Sequence, residues 1–323
     1  MGALSHQEFV ATLRTKDIDV FISCASFEDR YITVPQLATD FCPKERIFFF
    51  NANELPIISK NAEKLCGLNL QSSKRIALNS EDPLFTCDQF ENFFYDMIQR
   101  YPDKKPNLLV ECTTFTHEAI LILLKLIDLK RNLLGNIYVS YVGAKEYSYN
   151  IRDNKDKWLS TGVKSIRTIL GYSGYTDPMR KNHLIILFGF ESERTKQIID
   201  EYQYEYITLG FGSDSMQIEH QKINRERHQK LLLEYPNAKQ FSFTLLDPIE
   251  TKNQILQYLS TDNYRLMNNV IAPMNNKIST IGAGLAGIED PNIQLAYAQA
   301  NIYNIDGYAS ASDDLFLYEI RHD

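Results

Sequence analysis

Long apolar runs are missing from this 323-residue chain. A membrane-spanning helix needs about 20 mostly apolar residues. The most apolar stretch, Ala119 to Leu129, is interrupted by Lys125 and Asp128, so it reads as a buried helix and no membrane partner is expected. No basic segment followed by an apolar one opens the chain, and MGALSH carries His6 where a myristoylation site needs Ser or Thr. A cytoplasmic protein is therefore expected. Cysteine is sparse, with Cys24, Cys42, Cys66, Cys87 and Cys112 odd in number and confined to the first third. That pattern suits reduced thiols better than a disulfide frame or a zinc site, and neither a metal nor a cofactor is expected. Positive charge is also short: 34 Lys and Arg face 41 Asp and Glu, a net charge of −7. The molecule as a whole repels phosphate backbones, so direct binding to genomic DNA is not expected. The phosphate-loop, dinucleotide-fingerprint and Gly-x-Ser-x-Gly motifs are all absent. Their absence argues against phosphate-loop ATP hydrolysis, ordinary nicotinamide dehydrogenation and lipase-like chemistry.

What is present is an ordinary globular composition, 44% hydrophobic and 23% charged, at a length that suits two domains or one large α/β unit. The chain also repeats itself. VFISCASFEDR (Val20 to Arg30) is echoed by LIILFGFESER (Leu184 to Arg194), each an apolar run followed by Phe-Glu and an Arg. DPLFTCDQFENFF returns as DPIETKNQILQYL, with the helix-opening Asp-Pro pair moved from 82 to 247. GNIYVSYVGAKEYSYN returns as PNIQLAYAQANIYNI, with Asn-Ile moved from 136 to 292. Three matches in the same order at nearly constant spacing imply internal duplication.

Each half reads as short apolar strands alternating with helices. Strands are expected at 19–24, 46–50, 75–78, 108–112 and 136–142, then at 183–188, 205–209, 239–243, 269–272 and 293–297. Helices are expected near 28–40, 54–67, 85–100 and 114–130, then near 191–202, 214–234, 249–260 and 276–288. The implied fold class is α/β: two tandem Rossmann-like lobes, each a mostly parallel sheet flanked by helices and related by duplication. The first lobe is expected at 1–170, a linker at 171–182 and the second lobe at 183–323, each lobe ending in an edge strand, Val163 to Leu170 and Leu315 to Ile320.

In such sheets ligands bind beyond the strand carboxyl ends, where helix starts present free N–H groups. That rule selects Ser26, Glu28 and Arg30 after the first strand, and Thr113, Thr114, Thr116, His117 and Glu118 after the fourth. In the second lobe it selects Arg194 after the first strand and Asn275, Lys277 and Ser279 after the fourth. The ligand-binding set is thus Ser26, Arg30, Thr113, Thr114, Thr116, Arg194, Asn275, Lys277 and Ser279, with the arginines and the lysine offsetting an anion. Each has a plainer reading: the threonines as helix caps, and Glu28 with Arg30, like Glu191 with Arg194, as local ion pairs. Glu28, Glu111, His117 and Glu118 are the groups able to act as acid or base. Glu111, within the fourth strand, is expected to pair with a base such as Arg30. His220 and His228, eight apart in a charged segment, lack metal-site spacing and read as part of a solvated helix. GFGSDS (Gly210 to Ser215) resembles the Ser-Gly-Gly-x-Asp-Ser pyrophosphate loop of ATP-pyrophosphatase folds but departs at its first two positions and follows a second strand.

The paired lobes, with the late segment VIAPMNNKISTIGAGLAGI, resemble the CARF and SAVED sensor domains of prokaryotic anti-phage systems. The resemblance covers nearly the whole chain and lies in architecture, not in a shared motif. It implies a sensing or regulatory protein that holds a nucleotide or other anionic small molecule in a cleft between the lobes and signals through a separate effector protein. An enzyme acting on a nucleotide or phosphorylated metabolite in that cleft, and a partner-binding scaffold, are the alternatives on the same fold.

Overall fold

The computed structural model describes residues 2–68, 73–153, 156–202, 204–214, 226, 228–229, 231–261 and 263–320. The chain forms α1 (His6–Arg14), β1 (Val20–Ala25), a 3-10 turn (Asp29–Ile32), α2 (Thr33–Phe41), β2 (Glu45–Asn51), α3 (Pro56–Cys66), β3 (Ser73–Leu78), α4 (Pro83–Arg100), β4 (Leu108–Glu111), α5 (His117–Leu129) and β5 (Ile137–Tyr147). It continues with β6 (Ser160–Ser173), β7 (Asn182–Leu187), α6 (Ser192–Tyr202), β8 (Tyr206–Gly212), β9 (Lys239–Phe243), α7 (Pro248–Ser260), β10 (Asn268–Pro273), α8 (Lys277–Glu289), β11 (Gln294–Tyr303) and β12 (Ala309–Ile320). Most of the helix expected at 214–234 lies outside the described residues.

Two compact units result: Met1–Tyr149 with Ala309–Asp323, and Asn150–Tyr308. The sheet of unit 1 runs β12-β5-β4-β1-β2-β3 and that of unit 2 runs β6-β11-β10-β7-β8-β9. In both, five strands are parallel and one edge strand, β12 or β6, is antiparallel. This is the doubly wound arrangement, with strand order reversing between β1 and β4 and between β7 and β10. Every residue of β1 and β4 is buried, as parallel strands covered on both faces must be, and this is why their sequences are apolar apart from Ser23 and Glu111.

The edge strands differ from expectation. The strand expected to end the first lobe is β6, and it pairs with β11 in unit 2; the strand expected to end the second is β12, and it pairs with β5 in unit 1. The boundary expected at 171–182 accordingly gives way to crossings near 149 and 308.

The duplication is written in the hydrogen bonds. Asp82 caps α4 by accepting from Phe85 N, and Asp247 caps α7 by accepting from Ile249 N and Glu250 N, with Pro next in both. Four residues later the Thr86 hydroxyl donates to Asn79 O at 2.8 Å, and 165 residues on the Thr251 hydroxyl donates to Thr244 O at 2.8 Å. Helix α1 has no counterpart in the expectations. Its signals were Ser5 and Glu8, which cap reciprocally, and Phe9 with Leu13, which enter the core.

Candidate functional site

In unit 1 the crevice between β1 and β4 is bounded by Ser26–Arg30 on one side and Cys112–His117 on the other. Glu111, the last residue of β4, is fully buried. Its Oε1 accepts from the backbone N–H of Thr113 at 3.1 Å and from the Thr113 hydroxyl, which in turn accepts from Val142 N at 2.8 Å. Among the described residues Oε2 has no hydrogen-bond partner. Burial pushes this carboxyl up to about 7, against the Thr113 bonds and the nearby Arg30 charge and with help from Glu28. The Thr114 hydroxyl donates to Cys24 O at 2.5 Å, bridging the crevice, and Thr116 caps α5 by accepting from Ala119 N at 3.1 Å.

Arg30 forms the local ion pair with Glu28 and not the pairing with Glu111. It is 4% exposed and its Nε donates to Glu28, while Nη1 donates to Val142 O at 2.9 Å and to Tyr141 OH at 3.2 Å. The guanidinium also lies 5.6 Å from the Tyr141 ring centroid and 5.9 Å from that of Tyr147. Burial works against its charge, but the Glu28 carboxylate beside it holds its pKa well above the ordinary value. Arg194 does the matching task in unit 2, donating to Ala298 O, the repeat of Val142, and to Ser160 Oγ at 2.9 Å. Glu191 is spent on Leu159 N at 2.6 Å and Ser160 N at 2.9 Å, holding the start of β6. The repeated Phe-Glu-Arg element is therefore a clasp between the first loop and the fifth strand of each unit, and neither arginine is an uncommitted cation.

The remaining residues divide similarly. Ser26 Oγ accepts from Glu28 N at 3.4 Å, and His117 and Lys277 are half-buried at the first positions of α5 and α8. Glu118 is 4% exposed. Ser279 is fully buried, its N–H donating to the cap residue Asn276 at 2.9 Å and its hydroxyl to Asn276 O at 3.0 Å. Asn275 donates to Phe188 O. The crevice of unit 2 is closed by backbone as well: a side chain at Gly189 would put its Cβ 1.8 Å from Met274 O, so only glycine permits that approach. Asp214, in the glycine-rich GFGSDS segment, accepts from the Thr244 hydroxyl at 2.6 Å and Leu245 N at 2.6 Å, tying two loops together. His228 is fully buried against Phe188, with ring centroids 4.1 Å apart, where the charged surroundings in sequence suggested solvent. His220 lies outside the described residues.

One group was not flagged by the sequence. At the opposite, amino edge of the unit 2 sheet, His183 bonds Asn269 Oδ1 at 2.8 Å and Thr208 Oγ1 at 2.7 Å, and Thr208 bonds Tyr258 OH at 2.9 Å. Burial pushes the imidazole down to about 4, so it is neutral at physiological pH. A cavity of about 380 Å³ opens above, lined in part by Tyr206, Thr208, Tyr235 and Tyr264. The network beneath it satisfies its own polar atoms. Among the described residues no cluster of three or more His, Cys, Asp or Glu could hold a metal ion, and no helix is long and apolar enough to cross a membrane.

The raised Glu111 carboxyl has a signed consequence. The folded state holds this proton more tightly than the unfolded chain does, so its contribution is most favourable below the ordinary carboxylate range and is lost as pH rises through about 7. Glu111→Gln should therefore gain stability relative to wild type between pH 5 and pH 7.5, read as the difference in urea midpoints. An equal difference at both pH values would mean that Glu111 is not the titrating group.

No family model and no curated protein matches the chain. Among solved structures, the crystal structure of UDP-N-acetylglucosamine 2-epimerase matches at 10% identity, covering 88% of this chain and 84% of that chain, with a TM-score of 0.23.

Proposed function

We propose that the protein is a ligand-sensing or regulatory protein that takes a nucleotide-type small molecule at the carboxyl edge of its parallel strands and signals through a separate partner. The single observation that carries this reading is the doubly wound strand order of unit 1, with a polar corner at its reversal point: Glu111, Thr113 and Thr114 beneath the Thr116-capped start of α5. The likeness of the paired Rossmann-like units to CARF and SAVED sensors suggests a cyclic nucleotide as ligand and anti-phage defence as setting. A second reading, an enzyme acting on a nucleotide, is favoured by one feature: a carboxyl pushed up to about 7 titrates where a general acid or base works best.

Native mass spectrometry after incubation with a pool of mono-, di- and cyclic nucleotides separates the two. Retention of an unchanged nucleotide is the expected result. Conversion of a pool member selects the enzyme, and a ligand-free protein that binds no member rules out both.

A further inference from the structure

The two units use the same sheet for different interiors. Register gives one row in each: Phe21, Leu109 and Tyr138 lie side by side on β1, β4 and β5, and Leu184, Val270 and Gln294 on β7, β10 and β11. Four residues beyond these rows on β5 and β11 stand Val142 and Ala298, whose carbonyls the repeated arginines grip, and this matches the two rows to each other. Two residues beyond the rows on each strand, facing the same helical layer, unit 1 carries Ser23, Glu111 and Ser140. Unit 2 carries Ile186, Ala272 and Ala296, all members of its apolar core.

The row in unit 1 is fully buried, with all three residues at 0% exposure. Among the described residues the hydroxyls of Ser23 and Ser140 and Oε2 of Glu111 lack hydrogen-bond partners. Buried polar atoms without partners destabilise a fold, and most such groups are satisfied. Here three stand in adjacent positions, and the sister unit shows that the same sheet is built without them. Their place is the last step before the carboxyl edge at the reversal point. Both crevices are bridged at this edge, that of unit 1 by one side-chain hydroxyl, Thr114 on Cys24 O, and that of unit 2 by backbone, Gly189 against Met274.

Resting on the ligand-sensing reading above, we infer that unit 1, not unit 2, takes the ligand, and that Ser23, Glu111 and Ser140 form its recognition floor for a hydroxyl- or amino-bearing group such as the sugar or base edge of a nucleoside. The free atoms are a carboxyl oxygen and two hydroxyls, which complement such groups directly or through an ordered water with two to four polar partners. Phosphate is a poorer match, because Arg30 is spent on Glu28, Tyr141 and Val142.

The test gives unit 1 the interior of unit 2. Full-length S23I/E111A/S140A and wild type are titrated calorimetrically with the four ribonucleosides, their 5′-monophosphates and inorganic phosphate, and unfolded in urea. For wild type, the preferred nucleoside and its monophosphate should bind within about threefold of each other, with phosphate alone not binding. The variant should bind at least about tenfold more weakly while its urea midpoint rises. Ser140→Ala alone, which removes one unpartnered hydroxyl, should weaken binding at an unchanged or higher midpoint, and it carries the test if the triple variant does not fold. Binding that requires the phosphate, binding unaltered in the variants, or a lower midpoint in Ser140→Ala overturns the inference while leaving the sensing reading in place. A wild type that binds none of these probes, nor any member of the nucleotide pool, overturns both.

Discussion

Residues 1–170 expressed alone should give a chain with no cooperative unfolding transition, and a peptide spanning residues 309–323 added in trans should restore one. The reason is the exchange of edge strands. Unit 1 is closed by β12, which buries Leu315, Phe316, Leu317, Tyr318 and Ile320 at 0–6% exposure and bonds Leu4 in both directions through Leu315. Each such side chain contributes roughly 1.5–3 kcal/mol on burial, and five together rival the roughly 5–15 kcal/mol by which a whole domain is stable. Without β12 the N–H and C=O groups along one side of β5 would also lie open, which invites aggregation. Near-ultraviolet circular dichroism during urea titration reads the outcome. A sharp transition in the 170-residue fragment would mean that β6 closes its sheet and that the exchange is dispensable.

Arg30→Ala should cost roughly 3–5 kcal/mol, because it leaves the Glu28 carboxylate buried without its partner, at 6% exposure, and frees Val142 O. Replacing both members, as in Glu28→Gln with Arg30→Met, should recover much of that loss, since a buried pair exchanged for groups of similar volume is often nearly neutral. Arg194→Ala is the internal control. Glu191 is already held by the backbone N–H groups of Leu159 and Ser160 at the start of β6, so about 1–2 kcal/mol is expected there, the scale of one or two lost hydrogen bonds. Equal costs for the two arginines in urea unfolding would contradict the assignment of Glu28 as the deciding partner.

The alternation of strands and helices was legible because the parallel strands are buried on both faces and announce themselves as apolar runs; VFISCA and LLVE are examples. The duplication was legible because Asp82 and Asp247, like Thr86 and Thr251, do the same capping work in both units. Which sheet β6 and β12 complete was not legible, since their partners β11 and β5 are repeats and an edge strand's own sequence does not name its partner. Arg30 looked like a cation beside a helix start. Its commitment to Val142 and Tyr141 depends on contacts more than a hundred positions away. His228 misled for the same reason: its neighbours in sequence are charged, but its neighbour in space is Phe188. The corner around Glu111 was half legible, as a carboxylate inside a strand is unusual enough to notice. Its partner Thr113 was already among the chosen residues, whereas the row it forms with Ser23 and Ser140 depends on strand register, which no single strand encodes.

The most direct test of the account is amide hydrogen exchange of the full chain with and without the pool nucleotide that native mass spectrometry selects. Two duplicated units of which only unit 1 takes the ligand call for slowed exchange at 26–30 and 112–119 in unit 1 and unchanged exchange at 274–280 in unit 2. Slowing at 274–280 with none at 112–119 would place the ligand on the edge that Gly189 and Met274 close, and would contradict the account.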